Sequence, residues 1–238
     1  MSTYPPLAVQ AYEQLLAYAM RHPEEVGGVK AAGLHIQRSP NDVCNRSNME
    51  GHITASALVL APCARGVPHA LLVHHKSLQR WLTPGGHLEL GGDVPGGDNH
   101  HRRAPAYRAI SSFPPDQTLW DAAMREVIEE TGVQDVVPQP LRAHSTAKGR
   151  ATNAHLPHGL ADVFDIDTHA IPKNAAKGEG AHVHHDFMFL AQAPSLASLK
   201  PQLAEINGAR WMPAVQLTSM CTPRMDRVLR KLHLLDLA

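Results

Sequence analysis

Cysteine is scarce in this chain. Cys44, Cys63 and Cys221 are the only three, they lie far apart, and none belongs to a CxxC pair. That argues against a disulfide framework and against a structural zinc knuckle, and it fits a reducing compartment. An excess of one charge is also missing. The 22 Lys plus Arg balance the 22 Asp plus Glu, so no global field favours nucleic acid or an anionic membrane. Residues 1–22 lack a basic n-region and an uninterrupted apolar stretch. Neither a signal peptide nor a membrane span is expected there, and the default location is the cytoplasm.

What is present reads as an ordinary folded domain. Of 238 residues, 43% are hydrophobic and 18% charged, which suits one core with extensions. "LAVQAYEQLLAYAMRHP" has helical spacing at Leu7, Ala11, Leu15 and Ala19, and Pro23 ends it. Residues 23–50 are rich in Gly, Pro and Asn and read as a loop. "HITASALVLA" and "HALLVHH" read as paired strands. The Gly- and Pro-rich stretch from "TPGGHLE" to residue 115 reads as a long loop, a length that usually signals function or disorder. "LADVFDID", "AHVHHDFMFLAQ" and "ARWMP" read as strands, and "TPRMDRVLRKLHLLDLA" as a closing helix. The predicted class is α+β, a single domain over residues 1–238 with no repeat and no linker.

The strongest helix, "DQTLWDAAMREVIEETG", starts at a cap supplied by Asp116 or Thr118 and stops at Gly132. At about 100° per residue, Trp120, Met124, Val127 and Ile128 form the core face. Glu126, Glu129 and Glu130 fall opposite, beside Ala122 and Ala123. Their i, i+3 and i, i+4 spacings let all three carboxylates converge, although like charges so placed weaken a helix by a few tenths of a kcal/mol, roughly, per pair. One reading is a solvated acidic face. The other is a site for a hard divalent cation, since carboxylate oxygens suit Mg²⁺ or Mn²⁺ rather than zinc. The glycine pair of "TPGGHLE" favours the second, because glycines let backbone groups approach a ligand or metal.

"GGHLELG" and "AAMREVIEETGV" together resemble the Nudix box, Gx5Ex7REUxEExGU, in which U is a bulky aliphatic residue. Arg125, Glu126, Val127, Glu129, Glu130, Gly132 and Val133 fill its second half without a mismatch. The family joins the two halves almost directly, whereas residues 93–115 intervene here as an insertion. Gly92 falls where the first carboxylate belongs, and Asp93 or Asp116 is left to take that role. The resemblance implies a Nudix fold, a mixed β-sheet sandwiched between helices. Residues 1–25 would add an N-terminal helix to it.

The resemblance also implies chemistry: water attacks phosphorus in a diphosphate, assisted by Mg²⁺ or Mn²⁺, and a pyrophosphate bond breaks. By that likeness Glu126, Glu129 and Glu130 hold the metal, joined by the carbonyl of Gly86. Glu129 is the favoured base, and Arg125 orients a glutamate through a bidentate ion pair. The substrate is a small diphosphate, with no nucleic acid or membrane partner, and homodimers are common among such proteins.

A second cluster is read from alternation. Asp165, Asp167 and His169 share one face of a strand, and His182, His184 and Asp186 share one face of the next. His182, His184 and Glu179 are candidates for contact with phosphate or metal, against a plain hydrogen-bonded strand face. A zinc site of His169, His182 and His184 is the rarer alternative. Arg46 is placed to reach substrate; Lys173 and Lys177 read as solvated lysines, and Trp81 as core. Two other functions compete. A non-catalytic Nudix-fold sensor would show lost glutamates or a basic patch. An isopentenyl diphosphate isomerase-like enzyme would need a reactive cysteine, and Cys44 and Cys63 lack that family's surrounding motif.

Overall fold

The structure is a computed structural model. It describes residues 5–63, 66–90, 114–141, 160–174, 178–204, 206–220 and 222–237. Most of the expected insertion at 93–115 lies outside these, as do Asp93, Lys177 and Cys221.

The centre is strand β1 (His52–Ala61), every residue of which is buried. It runs parallel to β7 (His182–Gln192), with His52 opposite His184 and Leu60 opposite Gln192. Along its other edge β1 pairs antiparallel with β4 (Gly85–His87) near its start and with β2 (His69–His75) at its end. β2 continues outward to β3 (Arg80–Leu82) and β8 (Ile206–Pro213). β7 pairs with β6 (Val163–Ile171) and with the short β5 (Val137–Pro138). The result is a mixed sheet of eight strands.

Alternation along β1 and β7 builds two cores, one on each face. Ile53, Ala55, Ala57, Val59, Phe187 and Phe189 face α1 (Leu7–Arg21), α2 (Val26–Arg38) and α3 (Leu119–Thr131). Leu58, Leu60, Met188 and Leu190 face α4 (Pro223–Leu234), which buries Met225, Val228, Leu229 and Leu232 against them. The α+β sheet between helices is therefore as expected, and helices on both faces explain why β1 is dry throughout.

Three local expectations change. Residues 23–50 are not all loop: α2 occupies half of them. Gly27 and Gly28 disguise it, but Val29, Ala32 and Ile36 recur at helical spacing and are buried, so packing against α1 overrides weak propensity. Gly85–His87 is a strand rather than loop, because its backbone pairs with Thr54, Ala55 and Ser56 of β1. Finally, α3 is rotated from the expected wheel. Leu119, Ala122, Ala123, Val127 and Thr131 are its fully buried side chains, while Trp120, Met124 and Ile128 are only half-buried. The two alanines let the helix lie close to β1 and β4. What approaches them is the protein's own sheet, and the glutamates are drawn to its edge.

Candidate active site

Helix α3 begins in a complete capping box. Thr118 Oγ1 accepts from Asp121 N at 3.0 Å, and the Asp121 carboxylate accepts from Thr118 N at 2.9 Å. It ends at Gly132, whose φ of 74° is the left-handed cap that glycine adopts without strain. The helix is thus fixed at both ends, which sets the rotation of Arg125 and the three glutamates.

Arg125 is 4% exposed and is the hub. Its Nε and Nη2 donate to the two oxygens of Asp116, each at 3.1 Å. Nη1 donates to Glu126 Oε1 and to Glu129 Oε2, both at 2.9 Å, and Nη2 also donates to the carbonyl of His87 at 2.7 Å. Burial opposes the charge on this guanidinium, yet the Asp116 hydrogen bonds and the Glu126 charge hold its pKa above the ordinary value. The bidentate partner is therefore Asp116 rather than a glutamate. Asp116 is itself fixed, accepting from Glu89 N at 2.6 Å.

The three glutamates divide between two partners. Glu126 and Glu129 lean to the guanidinium, while Glu130, 6% exposed, turns to the sheet and accepts from Gly85 N at 3.1 Å. Arg125 precedes all three on α3 and attracts the two carboxylates within its reach. Gly86 lies against Glu126: a Cβ built on it would stand 2.6 Å from Glu126 Cδ. Only glycine at 86 lets the carboxylate lie against the strand.

Histidines make a second group on the opposite side chain row of the sheet. One ring nitrogen from each of His52, His182 and His184 lies within 4.8 Å of the others. His87 joins them from β4, its ring centroid 5.0 Å from that of His52 and 5.2 Å from that of His184. His87 thus links both groups, since Arg125 holds its carbonyl. Burial, aided by His182 and Arg46 and opposed by the Asn48 hydrogen bond, brings the pKa of His52 down to about 4. Burial and the surrounding His52, His169 and His182 lower His184 to about 2. These two imidazoles are neutral at pH 7 and offer lone pairs rather than positive charge.

The other expected residues are placed as follows. Arg46 and Glu179 stand 3.8 Å apart, with side chains 40% and 21% exposed. His169 pairs with Asp167 at 3.0 Å and its ring lies 5.7 Å from that of His184. It is therefore at the border of the histidine group, where sequence had put it inside. Asp165 keeps to the face of Asp167, and Arg227 bonds both. A bulge between Val163 and Asp165 delivers it to α4, where Arg224, Arg227 and Lys231 surround it. Trp81 is capped by Arg210, 4.1 Å above its ring, and flanked by His74. Sequence reasoning did not join His52 or His87 to this group. Nothing local marks them, because the parallel pairing of β1 with β7 brings His52 to His184 across 132 positions of chain.

No protein-family model matches the sequence, and no curated protein sequence matches it. Solved structures similar to the chain include a C. elegans Ap4A hydrolase, 15% identical, covering 76% of this chain and 94% of that one with a TM-score of 0.45. A NUDIX-family hydrolase from Clostridium perfringens is 18% identical over 80% and 98% of the two chains, with a TM-score of 0.41. The E. coli dihydroneopterin triphosphate pyrophosphohydrolase is 12% identical over 76% and 92%, with a TM-score of 0.42. These likenesses are distant. The resemblance of the chain to the Nudix hydrolases stands on its own residues, with Arg125, Glu126, Glu129 and Glu130 set on a helix beside the Gly85–Gly86 strand of a mixed α+β sheet.

Proposed function

We propose that this chain is a metal-dependent hydrolase that cleaves the pyrophosphate bond of a small diphosphate substrate by water attack on phosphorus. The observation that carries the reading is the Asp116–Arg125 clamp, which holds Glu126 and Glu129 beside the sheet while Gly86 makes room for Glu126. Three carboxylates, those of Asp116, Glu126 and Glu129, stand around one guanidinium, with Glu130 beside them on α3, an excess of negative charge that a cation relieves. An all-oxygen donor set suits Mg²⁺ or Mn²⁺, so the residues fit the ion that the Nudix resemblance implies. Glu126, Glu129 and Glu130 would hold it, with the carbonyl of Gly86. A cation bound there neutralises diphosphate oxygens and lowers the pKa of bound water.

The chain's own groups do the rest. Asp116 locks Arg125 in plane, and Arg125 fixes Glu126 and Glu129 so that they do not follow the substrate as it turns over. Glu129 is the more exposed of the two, at 29% of its side chain against 13%, and is assigned the proton of the attacking water. Arg46, 40% exposed at its side chain, is assigned to substrate phosphate, with Glu179 holding it in place. Isomerase chemistry through Cys44 is disfavoured: burial pushes that thiol up to about 12, far from a reactive thiolate.

The test is phosphate-coupled hydrolysis across nucleoside diphosphate derivatives, nucleotide sugars, dinucleoside polyphosphates and non-nucleotide diphosphates, with and without Mg²⁺ or Mn²⁺. Turnover that requires the metal supports the reading and names the substrate class. Folded protein that turns over none of them with metal present contradicts it. Gly86→Ala supplies a finer check. Its Cβ displaces the Glu126 carboxylate, and Mg²⁺ affinity falls by about 10–100-fold, the scale seen when a group that orients a metal ligand is altered. Calorimetry on the folded variant reads this, and unchanged affinity would remove Gly86 and Glu126 from the site.

A further inference from the structure

The histidine group lies on the opposite face of the sheet from the glutamate helix and has a different chemistry. We propose that His52, His182 and His184 form a binding site for one transition-metal ion, with Zn²⁺ the expected occupant. Three features of the geometry point there.

The first is spacing. Zn–N bonds of about 2.0–2.1 Å in a tetrahedral site put neighbouring ligand nitrogens about 3.3 Å apart. His182 Nε2 and His184 Nε2 are 3.1 Å apart, and one ring nitrogen from each of the three histidines lies within 4.8 Å of the others.

The second is the tautomer. His52 Nδ1 lies 3.1 Å from the carbonyl of Asn48, and His182 Nδ1 lies 2.8 Å from the carbonyl of Gly180. Carbonyls only accept, so both Nδ1 atoms carry hydrogen and both Nε2 atoms present lone pairs. A backbone carbonyl behind the distal nitrogen is the usual device that aims a ligating imidazole.

The third decides between a metal and a self-satisfied cluster. A hydrogen bond from His184 to His182 uses one N–H and one lone pair, and would satisfy that pair alone. His52 Nε2 is buried, on a residue 1% exposed, and has no hydrogen-bond partner among the described residues. A buried lone pair left unmatched costs stability, and a shared cation matches all three at once. Three imidazoles without a carboxylate select zinc over magnesium. The nearby Arg46 charge opposes a cation, and Glu179 at 3.8 Å offsets it. His169, the third member of the rarer alternative read from sequence, is engaged with Asp167, and the β1–β7 register brings His52 to His184 instead.

The experiment is Zn²⁺ titration of the full chain by competition with a chromophoric chelator, in excess Mg²⁺ to occupy oxygen donors. One tightly bound Zn²⁺ per chain is expected. His52→Ala and His182→Ala each lower affinity by at least about a hundredfold, above the range for altering only a supporting group, while His169→Ala leaves it unchanged. Circular dichroism confirms that each variant is folded. Co²⁺ added to the unaltered protein gives a readout that needs no variant: intense visible bands of a four-coordinate ion are expected. Zn²⁺ binding weaker than about 0.1 mM, worth only about 5.5 kcal/mol, weak six-coordinate cobalt bands, or equal affinity in folded His52→Ala would overturn the proposal. None of these outcomes depends on hydrolysis, so failure here is separable from failure of the glutamate site.

Discussion

Glu129→Gln lowers metal-dependent phosphate release by about 10²–10⁴-fold, the usual range for losing a positioned acid or base. The change is isosteric and removes only charge and one acceptor's basicity. Arg125 keeps its two bonds to Asp116, its contact with Glu126 and its bond to the His87 carbonyl, so the helix stays where it is. The Arg125–Glu129 pair is partly solvated, and its loss costs no more than about 1 kcal/mol. Steady-state kinetics beside a urea melt separates the two effects. A fall in kcat without a matching fall in stability is the expected result. Activity within a few-fold of the unaltered protein would take Glu129 out of the chemistry and leave it a surface partner of Arg125.

Asp165→Asn is expected to be the most damaging single change to stability, at about 3–5 kcal/mol, because it strands buried cations. Asp165 is fully buried and accepts from Arg227 Nε at 2.7 Å, Lys231 Nζ at 2.8 Å and Arg224 Nε at 3.1 Å. Lys231 continues to Glu25 at 2.9 Å and to Tyr18. One carboxylate thus ties β6 and α4 to the turn between α1 and α2. Burial alone would raise the pKa of Asp165, but the Arg227 hydrogen bond and the charges of Arg224, Lys231 and Arg227 hold it well below the carboxylate range. Burial would raise Asp167 as well, but the His169 hydrogen bond and the Arg224 charge bring it down to about 2. For groups with a depressed folded pKa, the stabilisation is fully present above the unfolded value of about 3.9 and is lost as pH falls through the folded value. The protein should therefore lose stability steeply below about pH 4, and Asp165→Asn should flatten that limb while lowering the plateau at pH 7. Urea unfolding at both pH values reads this. A variant as stable as its parent at pH 7 would show the cluster to be solvated.

Much of this was legible in the sequence, for reasons that can be named. The α3 boundaries were marked by Thr118 and Gly132, two residues whose side chain or backbone chemistry acts locally. Strands β1, β6 and β7 and helix α4 showed in their periodicity. The rotation of α3 was not legible, because counting apolar residues favours Trp120 and Met124 while close packing on a sheet favours Ala122 and Ala123. Helix α2 was hidden by Gly27 and Gly28, whose cost is met by packing on α1. The partner of Arg125 was in view as Asp116, but no local rule told whether it would cap the helix, bind a cation or clamp the guanidinium. His52 could not be joined to His184 from sequence, since register between parallel strands far apart in the chain is set by the whole fold.

The central claim is that the α3 glutamates bind a hard divalent cation. It is tested most directly by Mn²⁺ binding, followed by electron paramagnetic resonance, to the Zn²⁺-saturated protein and to a Glu126→Gln, Glu129→Gln double variant. Bound Mn²⁺ in the unaltered protein that disappears in a folded double variant is the predicted result. Equal Mn²⁺ binding by both, or none by either, would contradict it.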